Sequence, residues 1–383
     1  MRFRFPSIGS LPLVPNKPQL TTTKVRPMIN NSRFGPFKTG GYWIQAIMSL
    51  LAASSTHTYN KFTELIFLPS LTSLGRIDGG KYDYSVPIMV TYTNDPSSAH
   101  EWKKKHLKSS FNTTTDEPKI QFVGFDLESA PDLPWRKDVR YVGPATIQLA
   151  VVDAALIIQI AQDDCGGPLE EMLPFVRSIL DDNSILLAGV GMNQDMVELY
   201  RWIGNKDGSL VPDRPLRIDL GGIGSTNGDS VGLRRLAAGV LRVDTPKSRK
   251  LARSPWATVP LSLKSIAYAA RDAWTSAAVL HRLHSLDLER FSPNALRDVV
   301  RKEEEFLQSI GKPVSIADLS AQMSLRKQYR DEWTELKEKQ KERGLSEEEI
   351  QHRKRVKELV HNLGPPKPVT FEVEELSLLG ITI

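Results

Sequence analysis

Between Val86 and Leu286 the chain alternates short runs of β-branched and aromatic residues with stretches of helical periodicity, and no other feature restricts its fold as much. The runs are "IMVTYT", "QFVGFDL", "ATIQLAVV", "ALIIQI", "SILLAGVG" and "LRIDL". Each has strand length and strand composition. The second, third and fourth lie close enough together to form an antiparallel meander. Helical patterns follow in "PLEEMLPFVRSILDD", "QDMVELYRWIG", "SVGLRRLAAGVL" and "LSLKSIAYAARDAWTSAAVLHRLHSL". Strands first, then strands alternating with helices, predict an α/β domain: a mixed β-sheet flanked by helices. The zone holds roughly 200 residues, a size that suits one domain.

The flanks read differently. Residues 1–85 are irregular and rich in Ser, Thr and Pro, so a disordered N-terminal extension is expected there. The α/β domain is expected over residues 86–290, and a charged helical C-terminal extension over 291–383. In that tail "SEEE" (Ser346 to Glu349) has the form of a capping box opening a helix. "HRKRVK" (His352 to Lys357) suits a solvated helix better than a nuclear-import or phosphate-contacting patch. "GGIGSTNG" lacks the spacing of a dinucleotide loop and reads as a strand-to-helix connection.

Composition narrows the class. One cysteine, Cys165, among 383 residues excludes an internal disulfide framework and a Cys-rich zinc module, and suits a reducing compartment. The net charge of +5 is compatible with a polyanionic partner without requiring one. The longest apolar stretch, "YWIQAIMSLLAA" (Tyr42 to Ala53), falls short of the ~20 residues of a membrane span, so no membrane association is expected. The opening segment has no acid before Glu64, as in organelle transit peptides, but its prolines oppose a continuous amphipathic helix. An intracellular protein is expected, in the nucleus or the mitochondrion.

Chemistry is suggested by acids at the ends of elements. In "FVGFDLESAP" Asp126 and Glu128 are two apart on a strand and so project from one face. Like charges that close repel unless a cation sits between them. Asp195, in "AGVGMNQDMVEL", falls in the first turn after a buried strand. Tyr268 and Asp272, in "YAARDAW", are four apart and share a helical face. Asp272 stands in an Ala-rich stretch, and a buried carboxylate needs a cation or a metal. Arg271 points elsewhere on the helix, so spacing does not pair it with Asp272. Four acids from three elements are hard oxygen donors, suited to Mg²⁺ or Mn²⁺. Two such ions could clamp the attacking and leaving oxygens of a phosphodiester.

"FDLE", "GVGMNQD" and "YAARD", in that order, resemble the three motifs of the DEDDy 3′–5′ exonucleases, the family of Werner-syndrome-type exonuclease domains and ribonuclease D. "ATIQLA" and "SPWATVPLSLKSIAYAARDAW" extend the resemblance over about residues 86 to 287. It implies a ribonuclease H-like fold and stepwise hydrolysis of nucleic acid from the 3′ end to nucleoside 5′-monophosphates. Asp126, Glu128, Asp195 and Asp272 resemble the four ligands of two divalent ions, Mg²⁺ or Mn²⁺. Tyr268 resembles the tyrosine that orients the attacking water. Departures lie elsewhere: Lys264 or Ser265 stands where many relatives carry glutamine, and "SAPDLPWRKDVRYVGPA" is long. They bear on substrate preference, with DNA and RNA both open.

Lys247, Arg249, Lys250 and Arg253 suit contacts to backbone phosphates, or simply an exposed basic loop. Trp256, and less so Tyr141, could stack a base, against a packing role for Trp256. His281 reads as a surface or satisfied residue. Two alternatives differ in class: a catalytically silent nucleic-acid-binding module of this fold, and an interaction scaffold whose tail does the work. Protein partners are unreadable. Truncation at Ser292 would separate these readings, since an enzyme is expected to keep its chemistry without the tail.

Overall fold

Strand β3 (Gln121–Ala130) is the axis of the molecule, because each of its faces is claimed by a different helix layer. Val123, Phe125 and Leu127 sink into a cluster with Phe175, Val176, Met192 and Met196. The alternate positions turn the other way: Phe122 packs with Val279, Leu280 and Leu283. Gly124 lies against the backbone of the same helix, where an added Cβ would stand 1.9 Å from the Ala273 carbonyl oxygen and 2.8 Å from the Ala277 nitrogen. The period of two that governs strands therefore delivers Asp126 and Glu128 to the face where the long helix crosses.

A computed structural model describes residues 61–73, 82–107, 120–130, 143–162, 167–168, 170–204, 216–223, 230–245 and 247–363. Of the stretch 1–85 expected to be disordered, residues 1–60 and 74–81 lie outside them, as do the apolar stretch Tyr42–Ala53, Cys165 and Tyr141. The strands are β1 (Lys61–Ser73), β2 (Tyr82–Thr93), β3, β4 (Gly143–Ala150), β5 (Ala154–Gln159), the two-residue pair β6 (Ala161–Gln162) and β7 (Gly167–Pro168), β8 (Ile185–Gly189), β9 (Arg217–Asp219) and β10 (Val243–Asp244). The helices are α1 (Pro96–His106), α2 (Leu173–Leu180), α3 (Met192–Gly204), α4 (Leu233–Leu236, continued as a π-turn over Ala237–Leu241), α5 (Arg249–Ala252), α6 (Leu263–Leu286), α7 (Pro293–Ser309), α8 (Ile316–Arg343) and α9 (Glu347–Asn362). Among the described residues no helix is long and apolar enough to cross a membrane.

The main sheet runs β10-β1-β2-β5-β4-β3-β8-β9. β3, β4 and β5 form the expected antiparallel meander, in register Asp126↔Gln148 and Leu149↔Leu156. β8 and β9 continue parallel to β3, and β2 pairs parallel with β5. The mixed sheet flanked by helices is thus the one expected. One strand is not: β1, paired antiparallel with β2 and β10, lies inside the stretch 1–85 that reads as irregular.

The tail also differs from a free appendage. Leu296 and Val300 of α7 are buried with Ile218, Leu220 and Phe291. Ile316 and Leu319 of α8 are buried with Met196, Leu199 and Trp202. Arg201 of α3 donates to the Ser320 carbonyl at 3.0 Å and to Ser324 Oγ at 2.8 Å. Farther out, α8 and α9 pair through Arg326 to the Val360 carbonyl (3.1 Å) and His352 to Glu332 (2.7 Å). The predicted capping box is present at Ser346, and "HRKRVK" is part of α9, with Val356 buried, His352 and Arg353 turned to α8, and Lys354, Arg355 and Lys357 exposed.

Two outcomes follow from this packing. Gly124→Ala should cost about 1–3 kcal/mol in a urea titration, because backbone and not a pliable side chain occupies the space; unchanged stability would show that α6 does not approach β3 so closely. Truncation after Ser292 removes Leu296, Val300, Ile316 and Leu319 from the core, worth roughly 6–12 kcal/mol of burial and comparable with a whole domain's stability. That truncated chain should therefore fail to melt cooperatively by circular dichroism, so the Ser292 truncation, expected from sequence to leave an enzyme intact, does not separate an enzyme from a scaffold; a cooperative melt would show that the tail is not part of the folded unit.

Candidate active site

The site is built where the end of β3 meets the middle of α6. Asp126, Glu128 and Asp272 each offer a carboxylate oxygen within 4.8 Å of the others. Tyr268 is buried one turn before Asp272, near enough for the acid's charge to act on its phenol. Asp195 enters from α3, where it occupies the first turn as expected. It stands outside the 4.8 Å group but near enough for its charge to act on Glu128, as that of Asp126 acts on it.

The local sequence explains how α3 is aimed. Gly191 ahead of it has φ +81°, a left-handed conformation natural to glycine, and turns the chain from β8 into the helix. Asp219, at the end of β9, accepts from the Gly191 nitrogen at 3.2 Å and the Gly221 nitrogen at 2.9 Å. Arg217 of β9 donates to Asn193 Oδ1 at 3.1 Å. Glu198, one turn beyond Asp195, accepts from Ser129 Oγ of β3 at 2.6 Å. The helix that presents Asp195 is thus tied to both neighbouring strands.

Electrostatically the cluster is strained. Burial, then the charge of Asp272, pushes Asp126 up to about 7. Burial, then Asp126 and Asp272, pushes Glu128 up to about 9. Asp195 lies well above the usual carboxylate range through burial and the charges of Asp126, Glu198 and Asp219. Burial raises Asp272 as well, while Arg271, Tyr268 and Lys247 pull it back. Tyr268 is raised by burial and by the surrounding acids, so its phenol stays protonated. Half-buried carboxylates crowded in this way call for a multivalent cation, and their hard oxygens suit Mg²⁺ or Mn²⁺. The donor set fits a divalent metal centre.

Spacing did not pair Arg271 with Asp272, yet the two are joined. Arg271 is buried and places Nε and Nη2 at 3.2 and 3.1 Å from Asp272 Oδ1. Its guanidinium also lies 5.0 Å from the Tyr268 ring centroid. Helical angle describes where a Cβ points, and a side chain this long folds back across the helix surface.

The other expected residues divide. Lys247 is exposed and its charge reaches Asp126, Glu128 and Asp272. Arg249, Lys250 and Arg253 are exposed in the same segment. Trp256 is fully buried, 6.1 Å from Tyr268 between ring centroids, and presents no face to a base. Its carbonyl accepts from Gln159 Nε2 at 2.9 Å, so packing is its role. His281 edges onto Phe122 at 5.3 Å, away from the acids.

With this geometry in view, comparison with known proteins is consistent throughout. A profile of the 3′-5′ exonuclease domain matches residues 92–286, more than half of the chain. The chain therefore belongs to the 3′-5′ exonuclease family. It is 28% identical over 210 residues to human exonuclease 3′-5′ domain-containing protein 2, covering 51% of this chain and 33% of that protein. It is 27% identical over 165 residues to a 3′-5′ exonuclease of Arabidopsis thaliana, covering 43% and 53%. The chain thus spans about half or less of these relatives. Among solved structures, the exonuclease domain of Aedes aegypti Nibbler is similar at 15% identity and TM-score 0.40, covering 54% of this chain and 93% of that one.

The raised carboxylates set a pH dependence. A group whose folded pKa exceeds its unfolded value binds more protons when folded, so its contribution falls as pH rises between the two. Metal-free protein should therefore lose stability from about pH 4 to about pH 9, the span between ordinary carboxylates and Glu128. Thermal melts in EDTA across that range should show the decline, and Asp126→Asn with Glu128→Gln should flatten it. A decline equally steep in the double variant would refute the assignment.

Proposed function

We propose that the chain is a metal-dependent 3′–5′ exonuclease that removes nucleotides singly from the 3′ end of DNA or RNA. The observation that carries this reading is the convergence of Asp126, Glu128 and Asp272 within 4.8 Å, with Asp195 and Tyr268 beside them, in a chain of this family. A water oxygen attacks the phosphorus of the terminal phosphodiester. The bond to the 3′ oxygen of the preceding nucleotide breaks, that oxygen takes the electron pair and a proton, and a nucleoside 5′-monophosphate leaves.

Asp126, Glu128, Asp195 and Asp272 hold two divalent ions, Mg²⁺ or Mn²⁺. When bound, such ions supply Lewis acidity to the phosphodiester oxygens and make the attacking water more acidic. Tyr268, a protonated phenol beside Asp272, orients that water by hydrogen bonding and is not its base. Lys247, whose charge is felt by the acids, meets the terminal phosphates, with Arg249, Lys250 and Arg253 along the departing backbone. Such contacts give affinity and salt dependence without reading sequence.

The test is degradation of 5′-labelled single-stranded DNA and RNA oligonucleotides with Mg²⁺ or Mn²⁺. A ladder shortening from the 3′ end should appear with the wild type, vanish in EDTA, and slow at least about a hundredfold in Asp126→Ala. The faster oligonucleotide identifies the preferred sugar. Binding without a ladder from well-folded wild type would make the chain a silent nucleic-acid-binding module instead.

A further inference from the structure

A buried arginine on a helix of alanines demands a reason, since taking a guanidinium out of water is costly unless its donors are used. On α6 nearly every position around Arg271 is small: Ala269, Ala270, Ala273, Ser276 and Ala277 are all buried. Arg271 itself is 6% exposed. Its guanidinium bridges the two site residues of this helix: it holds Asp272 Oδ1 at 3.1 and 3.2 Å and covers the Tyr268 ring at 5.0 Å. Rotating Arg271 away breaks both contacts at once.

We propose that Arg271 is a positioning residue of this site, fixing the Asp272 carboxylate and the Tyr268 ring relative to each other. This rests on the reading of Asp272 as a metal ligand and Tyr268 as the group that orients water. The arginine is also a resident counter-charge: it neutralises part of a cluster whose other members, Asp126 and Glu128, lie within 4.8 Å of Asp272. It acts through Asp272 and Tyr268, so its loss should slow turnover and leave substrate affinity alone. It should also leave more negative charge for a divalent ion to satisfy.

The test uses the full chain with Arg271→Met, which keeps the stem but no donor or charge, and Arg271→Lys, which restores the cation. Steady-state degradation at saturating Mn²⁺ should show kcat at least about tenfold lower in the methionine variant, with KM within about threefold of wild type. The lysine variant should recover part of kcat. Without nucleic acid, the rise in Tm on adding Mn²⁺ should be larger in the methionine variant than in wild type, because the ion supplies the missing cation. Both results are required. A kcat within twofold of wild type, a KM that rises while kcat holds, a lysine variant no better than methionine, or equal Mn²⁺-induced shifts each overturns the proposal. If wild type cuts no oligonucleotide the exonuclease reading fails, and the Mn²⁺ melts alone decide whether Arg271 acts on the cluster.

Discussion

The approach of α6 to β3 at Gly124 is the constraint on which the site depends. Asp126 and Glu128 belong to the strand, Tyr268 and Asp272 to the helix, and the two pairs meet only because nothing separates the backbones there. A Cβ at Gly124 would lie 1.9 Å from the Ala273 carbonyl oxygen. Alanines on the helix complete the fit, with Ala269, Ala270, Ala273 and Ala277 all buried. Bulkier residues at this crossing would hold the helix farther out by ordinary packing, and the carboxylates would no longer share one position. The small residues of "FVGFD" and "YAARDAWTSAA" are in this sense part of the site.

The close approach has an electrostatic consequence that the fold bears. Crowded, half-buried carboxylates repel, and burial denies them the solvent that would screen them. The raised pKa values of Asp126 and Glu128 express that strain. Partial relief comes from Arg271 on the helix side and Lys247 at the rim, each of which pulls Asp272 down. They differ in kind. Lys247 is exposed, so its charge is screened and can be shared with an incoming phosphate, whereas Arg271 is buried and already engaged. A site left short of positive charge by the protein itself is disposed to take it from divalent ions.

The parts legible in the sequence were those set by local pattern. Strand alternation put Asp126 and Glu128 on one face, helical spacing put Tyr268 with Asp272, and the meander followed from three short strands in close succession. What escaped depends on partners distant in sequence. β1 is defined by its pairing with β2, Phe62 against Tyr92, and isolated strand propensity amid Ser, Thr and Pro does not announce it. Trp256 allows stacking or packing until Tyr268 and Gln159 are seen to enclose it. Arg271 was placed by its helical angle, which ignores the reach of a guanidinium.

The tail shows the same limit. Its abundance of charge masks a sparse apolar stripe, and four side chains, Leu296, Val300, Ile316 and Leu319, suffice to join α7 and α8 to the core. The connection is polar as well. Arg217 bonds Asn193 in the first turn of α3 while feeling the charges of Glu304 and Glu303 on α7. Burial holds Glu303 at about 7, so α7 sits on the sheet edge and not in solvent. Asp195 lies two residues beyond Asn193. The strand that aims the fourth carboxylate is therefore covered by the tail, and α7 belongs with the elements that shape the site, whereas α9 and the outer turns of α8 stand clear of it.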